Sequence, residues 1–175
     1  IGADLLKPMN FFTYWLGIDL GRALGSFLIR SLPLFLIFML FYRITLPDSI
    51  LQWSVFLLSV VLSELISFGW RFLVNLAAFW SPNALGVGRF AFGLSWIFSG
   101  FFMPLDLFPD WLANFARLTP FGASLYLPIE IFINKLKGVD LLQAMLIQVF
   151  WVLIFIVLDQ LVLSRGVRKL VIQGG

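Results

Sequence analysis

The sequence predicts an all-α integral membrane protein, a polytopic helical bundle with an amphipathic helix at one end and a re-entrant helical element before its last span. Three observations predict it. The 175 residues are 61% hydrophobic and 12% charged, with a mean hydropathy of +1.01, whereas a soluble domain carries about 25% charged residues. The apolar runs are continuous and do not alternate, so the spans are helices, which satisfy their own backbone hydrogen bonds in lipid, and not barrel strands. Between Gly100 and Glu130 four prolines, Pro104, Pro109, Pro120 and Pro128, divide an aromatic, charge-poor stretch. Each piece is too short to cross a bilayer, which takes about 20 apolar residues.

The elements follow in order along a single transmembrane domain, residues 1–175. Residues 1–23 are mixed and aromatic-rich, a composition that suits the membrane interface, and Gly17, Gly21 and Gly25 form a four-residue ladder that reads either as a helix-dimer face or as a place for a neighbouring backbone to approach closely. A first span covers residues 24–42, with Pro33 inside it and Arg30 placed to snorkel to the edge. The turn signal Leu46-Pro47-Asp48 precedes a second span, residues 50–78, which Ser81-Pro82-Asn83 closes. The third span, residues 84–103, is thinned by Gly86, Gly88, Gly93, Ser95, Ser99 and Gly100. Residues 104–138 form the proline-broken element, residues 141–163 the most apolar span, and residues 164–175 a basic tail carrying Arg165, Arg168 and Lys169.

Four spans put both chain ends on one side. That side holds Lys7, Arg22, Arg89, Arg165, Arg168 and Lys169, with Arg30 and Arg71 near it, against Arg43, Arg117, Lys135 and Lys137 opposite. The excess makes the side of the ends cytoplasmic and leaves the proline-broken element outside.

Composition also removes chemistries. The chain has no cysteine and no histidine, which excludes thiol chemistry, Cys/His zinc sites and His-based triads within it. A net charge of +3 and a pI near 9.6 do not indicate nucleic acid, because the positives sit mostly at span ends. No GxxxxGK[ST] loop is present, so any ATP must be bound by another subunit.

Two constellations stand out. Ser59, Ser63, Ser67, Arg71 and Asn75 recur every four residues in the second span, with Glu64 beside them. Such steps stay near one helix face, drifting about 40° each. Ionisable residues in a span face protein or water, and small residues pack helices closely, so the stripe reads either as a transport pathway with an ion pair or as a structural polar seam. In the outer element the acids are Asp106, Asp110 and Glu130. Asp106 and Asp110 stand just after Pro104 and Pro109, where turn and helix-start residues belong. Trp96, Trp111 and Phe115 read as interfacial anchors.

The whole arrangement resembles the permeases of type-2 ABC exporters, in their short bacterial branch. The residues that carry the resemblance are LLKPMNFFTYWLGIDLG at the start, SGFFMPLDLFPDWL, LTPFG and LPIEIF in the outer element, and the terminal VIQGG. The resemblance implies six spans per subunit, so two further spans are expected before Ile1. It implies a homo- or heterodimeric membrane core in the cytoplasmic membrane of a bacterium, surrounded by lipid. It also implies a separate nucleotide-binding ATPase subunit that carries the ATP and Mg, with no cofactor in this chain. Residue by residue, Leu6, Lys7, Pro8, Met9, Asn10, Phe11, Phe12 and Trp15 fall in the cytoplasmic region that couples to the ATPase. Pro104, Asp106, Phe108, Pro109, Trp111, Pro120 and Phe121 fall in the extracellular re-entrant element.

The expected function is therefore export of an amphipathic, lipid-like or drug-like substrate, with no catalytic residue in this subunit. Two other classes compete: a membrane-embedded enzyme acting on lipids through the outer carboxylates, and a non-catalytic assembly subunit. No internal repeat marks these spans, which argues against a secondary transporter.

Overall fold

The computed structural model describes residues 10–42, 46–47, 49–81 and 83–171, with side chains through residue 168. These residues are helical, with no strand among them. They fall in two compact units, Ile1–Thr45 and Leu46–Gly175.

In the first unit, α1 (Phe11–Ser26) begins where the Asn10 side chain accepts a hydrogen bond from the Thr13 N–H at 3.1 Å, filling one of the orphan donors of a helix start. A single π-helical turn, Phe27–Ser31, joins it to α2 (Leu32–Phe41). Pro33 explains the turn. A proline in a helix lacks its N–H and its ring crowds the preceding turn, and widening the backbone by one residue relieves that crowding. The helical run Phe11–Phe41 is thus unbroken over 31 residues. The boundary expected near residue 23 is absent, because glycine weakens a helix without ending it. Adding a Cβ at Gly17, Gly21 or Gly25 would meet no heavy atom within 4 Å.

The second unit opens with α3 (Ile50–Leu76), capped by the Ser49 hydroxyl accepting from the Gln52 N–H, and α3 tightens into a 3-10 turn, Ala77–Phe79. Next comes α4 (Ala84–Phe98), where Asn83 accepts from the Gly86 N–H. Its 15 residues span about 22 Å, less than the roughly 30 Å of a hydrocarbon core. The third span was expected to reach residue 103. It stops at Phe98 because Gly100 adopts φ +81°, the left-handed conformation that ends helices.

A 3-10 turn, Leu105–Leu107, leads to α5 (Asp110–Leu118), α6 (Pro120–Phe132) and the long α7 (Gly138–Val171). Asp110 lies in the first turn of α5, as expected, where its charge suits the helix dipole. The last helix continues well past residue 163, through most of the expected basic tail. Among the described residues, three helical runs are long and apolar enough to cross a membrane: Phe11–Phe41, Ile50–Phe79 and Gly138–Arg168.

Helices α3, α6 and α7 form the core. Gln148 on α7 meets Ser59 and Ser63 on α3, Phe155 lies against Gly69, and Gly166 against Phe79, so α3 and α7 run parallel. On the other side Gln52 donates to the Ile131 and Phe132 carbonyls while Trp70 packs edge-on to Phe121 at 5.0 Å, so α6 runs antiparallel to α3. Ile66, Ala123, Leu127, Ala144 and Phe155 fill the contact. A Cβ at Gly69 would sit 2.5 Å from that of Phe155, which is the close approach that small residues permit in lipid. Gly122 plays the same part between α5 and α6, where a Cβ would strike the Ala116 carbonyl.

Candidate functional site

The polar stripe of α3 divides in two. Its first half is glue: Ser59 and Ser63 are buried, and the Gln148 side-chain amide donates to the Ser59 carbonyl at 3.3 Å, the Ser63 hydroxyl at 3.0 Å and the Ala123 carbonyl at 2.9 Å. One amide thereby ties α3, α6 and α7. The 40° drift per step then carries the second half off this face. Arg71 reaches back along the helix and donates to Glu64 at 2.7 Å, closing a separation of about 10 Å along the axis, while Asn75 is exposed.

Ser67 and Arg71 line a cavity of about 350 Å³ enclosed by α3, α4, the chain just after it and the start of α6. Its apolar wall is aromatic, from Trp70, Phe92, Trp96, Phe101 and Phe121. Ser95, Ser99 and Ser124 add hydroxyls, each donating to a carbonyl of its own helix, on Phe92, Trp96 and Phe121. Among the described residues, Arg71 is the only ionisable one in the lining. The Trp70 indole N–H, on the same wall, is buried with no acceptor among the described residues. Of the expected site residues, the structure brings together here Ser67 and Arg71 from the stripe with Pro120 and Phe121 from the outer element.

The rest of the proline-broken element, residues 104–138, is held by an ionic cluster. Asp106 accepts from Arg117 at 2.7 Å and from Lys135 at 2.8 Å, and Glu130 accepts from the same two cations at 3.3 and 2.9 Å. Tyr126 lies under both, its ring centre 5.6 Å from the Arg117 guanidinium and 5.9 Å from the Lys135 ammonium. Hydrogen bonds from Lys135 and then Tyr126 hold the Asp106 carboxyl below its ordinary 3.8, and the bond to Asp106 raises Lys135 above 10.5. Asp106 is therefore an ion-pair centre and not the turn cap its position suggested. Both acids facing this cluster are engaged by cations, which suits a lock between segments better than acid–base chemistry. Leu105, Ala116 and Tyr126 pack beneath it with Phe98 and Phe108. Pro109 precedes α5, and Trp111 and Phe115 are exposed on it.

In the first unit Asn10 caps α1, and Phe11 and Trp15 meet edge-to-face at 6.2 Å beside the half-buried Phe12. Leu6, Lys7, Pro8 and Met9 lie outside the described residues.

Two buried residues escaped the sequence reading. Gln148 is one. Asp159 is the other, fully buried in α7 between the levels where that helix meets Gly69 and Phe79, with both carboxylate oxygens lacking a hydrogen-bond partner among the described residues. Each is a lone polar side chain inside the most apolar run, and polar groups within a span were the available signal.

The described residues of the second unit thus form a helical bundle with an Arg71–Glu64 ion pair, a lined cavity and a helical segment tied by an ionic cluster. No curated relative and no solved structure matches the chain. A family model described as ABC-2 family transporter protein matches residues 1–174. The chain therefore belongs to the ABC-2 transporter family, as the membrane permease subunit of an ABC transporter.

Proposed function

We propose that this permease exports an amphipathic, lipid-like or drug-like substrate across the cytoplasmic membrane of a bacterium. A second permease subunit, identical or paralogous, completes the membrane core, and a separate ATPase subunit supplies ATP and Mg. The observation that carries this reading is the cavity between α3, α4 and α6. Its aromatic wall suits an apolar body, and its hydroxyls and guanidinium suit a polar end, the mixture by which small-molecule sites hold amphiphiles.

Residues 6–15, with the aromatic face of Phe11, Phe12 and Trp15, receive the push of the closing ATPase. Helices α5 and α6 form the re-entrant element over the pathway, and the ionic cluster keeps that element in one shape while the spans rock between two states. The polar stripe then serves in both of its candidate roles, the Ser59–Ser63 half as seam and the Ser67–Arg71 half as pathway lining.

The test is reconstitution. The full-length protein is purified gently with its partners, and substrate accumulation is followed in inverted vesicles on addition of ATP. A stoichiometric ATPase whose rate depends on this chain, together with transport that Ser95→Trp blocks by filling the cavity, supports the reading. Absence of any ATPase partner, or undiminished transport by the filled variant, overturns it.

A further inference from the structure

We infer that the α3–α4–α6 cavity takes a flat aromatic molecule carrying a carbonyl group, which accepts a hydrogen bond from the Ser67 hydroxyl. The inference rests on the pathway reading above and narrows its substrate class. Three observations converge on it.

The first is where the cavity lies. It sits beside α3, whose run Ile50–Phe79 is long and apolar enough to cross a membrane. Lipid tails are as apolar as such a wall, so apolar burial alone draws nothing out of a bilayer. A substrate that settles here must gain what lipid does not offer.

The second is that the wall is made of rings already braced in pairs. Trp70 of α3 meets Phe121 of α6 edge-on at 5.0 Å, and Trp96 of α4 lies against Phe101 at 6.1 Å. Braced rings have little freedom left to lose when a further ring packs on them, and aromatic pairs gain beyond the area they bury. The volume of about 350 Å³ is at the small end of the roughly 300–1,000 Å³ of small-molecule sites. It suits one compact ring body better than a two-chain lipid.

The third is the state of the serines. A serine inside a helix commonly bonds to a carbonyl one turn back. Ser95, Ser99 and Ser124 do so, at 2.7, 3.2 and 2.9 Å. Ser67 lines the same cavity, yet its hydroxyl makes no hydrogen bond among the described residues. It stands three residues before Trp70 and so shares that face of α3. A carbonyl at the edge of a ring stacked on Trp70 is the acceptor this hydroxyl suits.

The experiment uses two fluorescent probes of one body, prodan and dimethylaminonaphthalene, which lacks the ketone. They are titrated onto the full permease with its ATPase in lipid nanodiscs, with emission excited through the tryptophans. The signal read is the saturable component that Ser95→Trp removes. Both probes are expected to bind saturably. Ser67→Ala should weaken prodan about fivefold, the scale of one hydrogen bond, and leave the parent unchanged. Comparing the two probes in the two proteins cancels their different partition into lipid. The bound prodan emission should also move to the blue in Ser67→Ala, as a ketone losing a hydrogen bond does. Alanine is the best helix former, so α3 keeps its fold in this variant.

If Ser67→Ala changes both probes equally, or neither, the role of Ser67 is overturned. If neither probe binds the wild type saturably, the aromatic class is overturned. The pathway reading is judged separately, by transport in the reconstituted vesicles: a block by Ser95→Trp upholds it even when both probes fail, and undiminished transport overturns it.

Discussion

Two positions one turn apart on α7, Phe155 and Asp159, lead to predictions of opposite sign. Phe155 lies where α3 has no side chain: a Cβ at Gly69 would sit 2.5 Å from the Phe155 Cβ, and both atoms are fixed to helix backbones. Gly69→Ala must therefore separate two parallel spans, and overpacking of this kind costs about 1–3 kcal/mol. The variant is expected to unfold at lower temperature in detergent, and an unchanged melting temperature would mean the helices slide apart freely. Asp159 is fully buried with no donor for either carboxylate oxygen among the described residues. Leaving buried polar groups unsatisfied costs about 1–3 kcal/mol, whereas an apolar group of similar shape is neutral or stabilising. Asp159→Val, which keeps the branch at Cβ, is expected to raise the melting temperature. A fall would reveal that Asp159 has a donor in the assembled transporter.

At the scale of elements, the ionic cluster joins four successive segments above an apolar cluster of Leu105, Ala116 and Tyr126. It draws Asp106 from the 3-10 turn, Arg117 from α5, Glu130 from α6 and Lys135 from the chain before α7. The Asp106 carboxyl is held below its ordinary 3.8, so its contribution is complete above that value and lost as the pH falls through the lowered one. Lys135 is raised above 10.5, so its contribution is complete below that value and lost as the pH rises through the raised one. Between these limits the outer element is expected to keep one shape, loosening in acid and in strong base. Because the chain has no cysteine, a spin label on Phe115→Cys reports α5 alone. Its mobility should be flat across the interval and rise at both ends, while Asp106→Asn should give a mobile label throughout. Asp106 is half-exposed, so high salt should weaken the lock as well. A label immobile at all pH values would show that the apolar contacts beneath the cluster suffice.

At the scale of the molecule, the sequence revealed what is periodic and local. Continuous apolar runs located the helices, and the first half of the four-residue stripe, Ser59 and Ser63, marked a packed face of α3. What it concealed is non-local. Nothing near Gln148 announces that its amide bonds Ser63 and Ala123, and the cavity draws Arg71, Ser95 and Phe121 from three helices with no common spacing. The division of the stripe likewise depends on which helix each half meets. The same limit applies to α1, whose aromatic face was legible, whereas the ATPase surface we propose it meets was not. Phe11 and Trp15 meet edge-to-face, and Tyr14 packs against Trp15 at 5.9 Å, so the face is a preformed block of rings and not a set of independent side chains. Such a block can transmit a push because it has few rotamers to yield. Phe11→Ala/Phe12→Ala/Trp15→Ala removes the block while Asn10 still caps the helix, so α1 should persist. The assembled transporter carrying it is expected to hydrolyse ATP while moving substrate at least about tenfold less per ATP, a loss of coupling worth about 1.4 kcal/mol. The measurement is substrate accumulated per phosphate released in one vesicle preparation, and an unchanged ratio would place the coupling surface elsewhere on the chain.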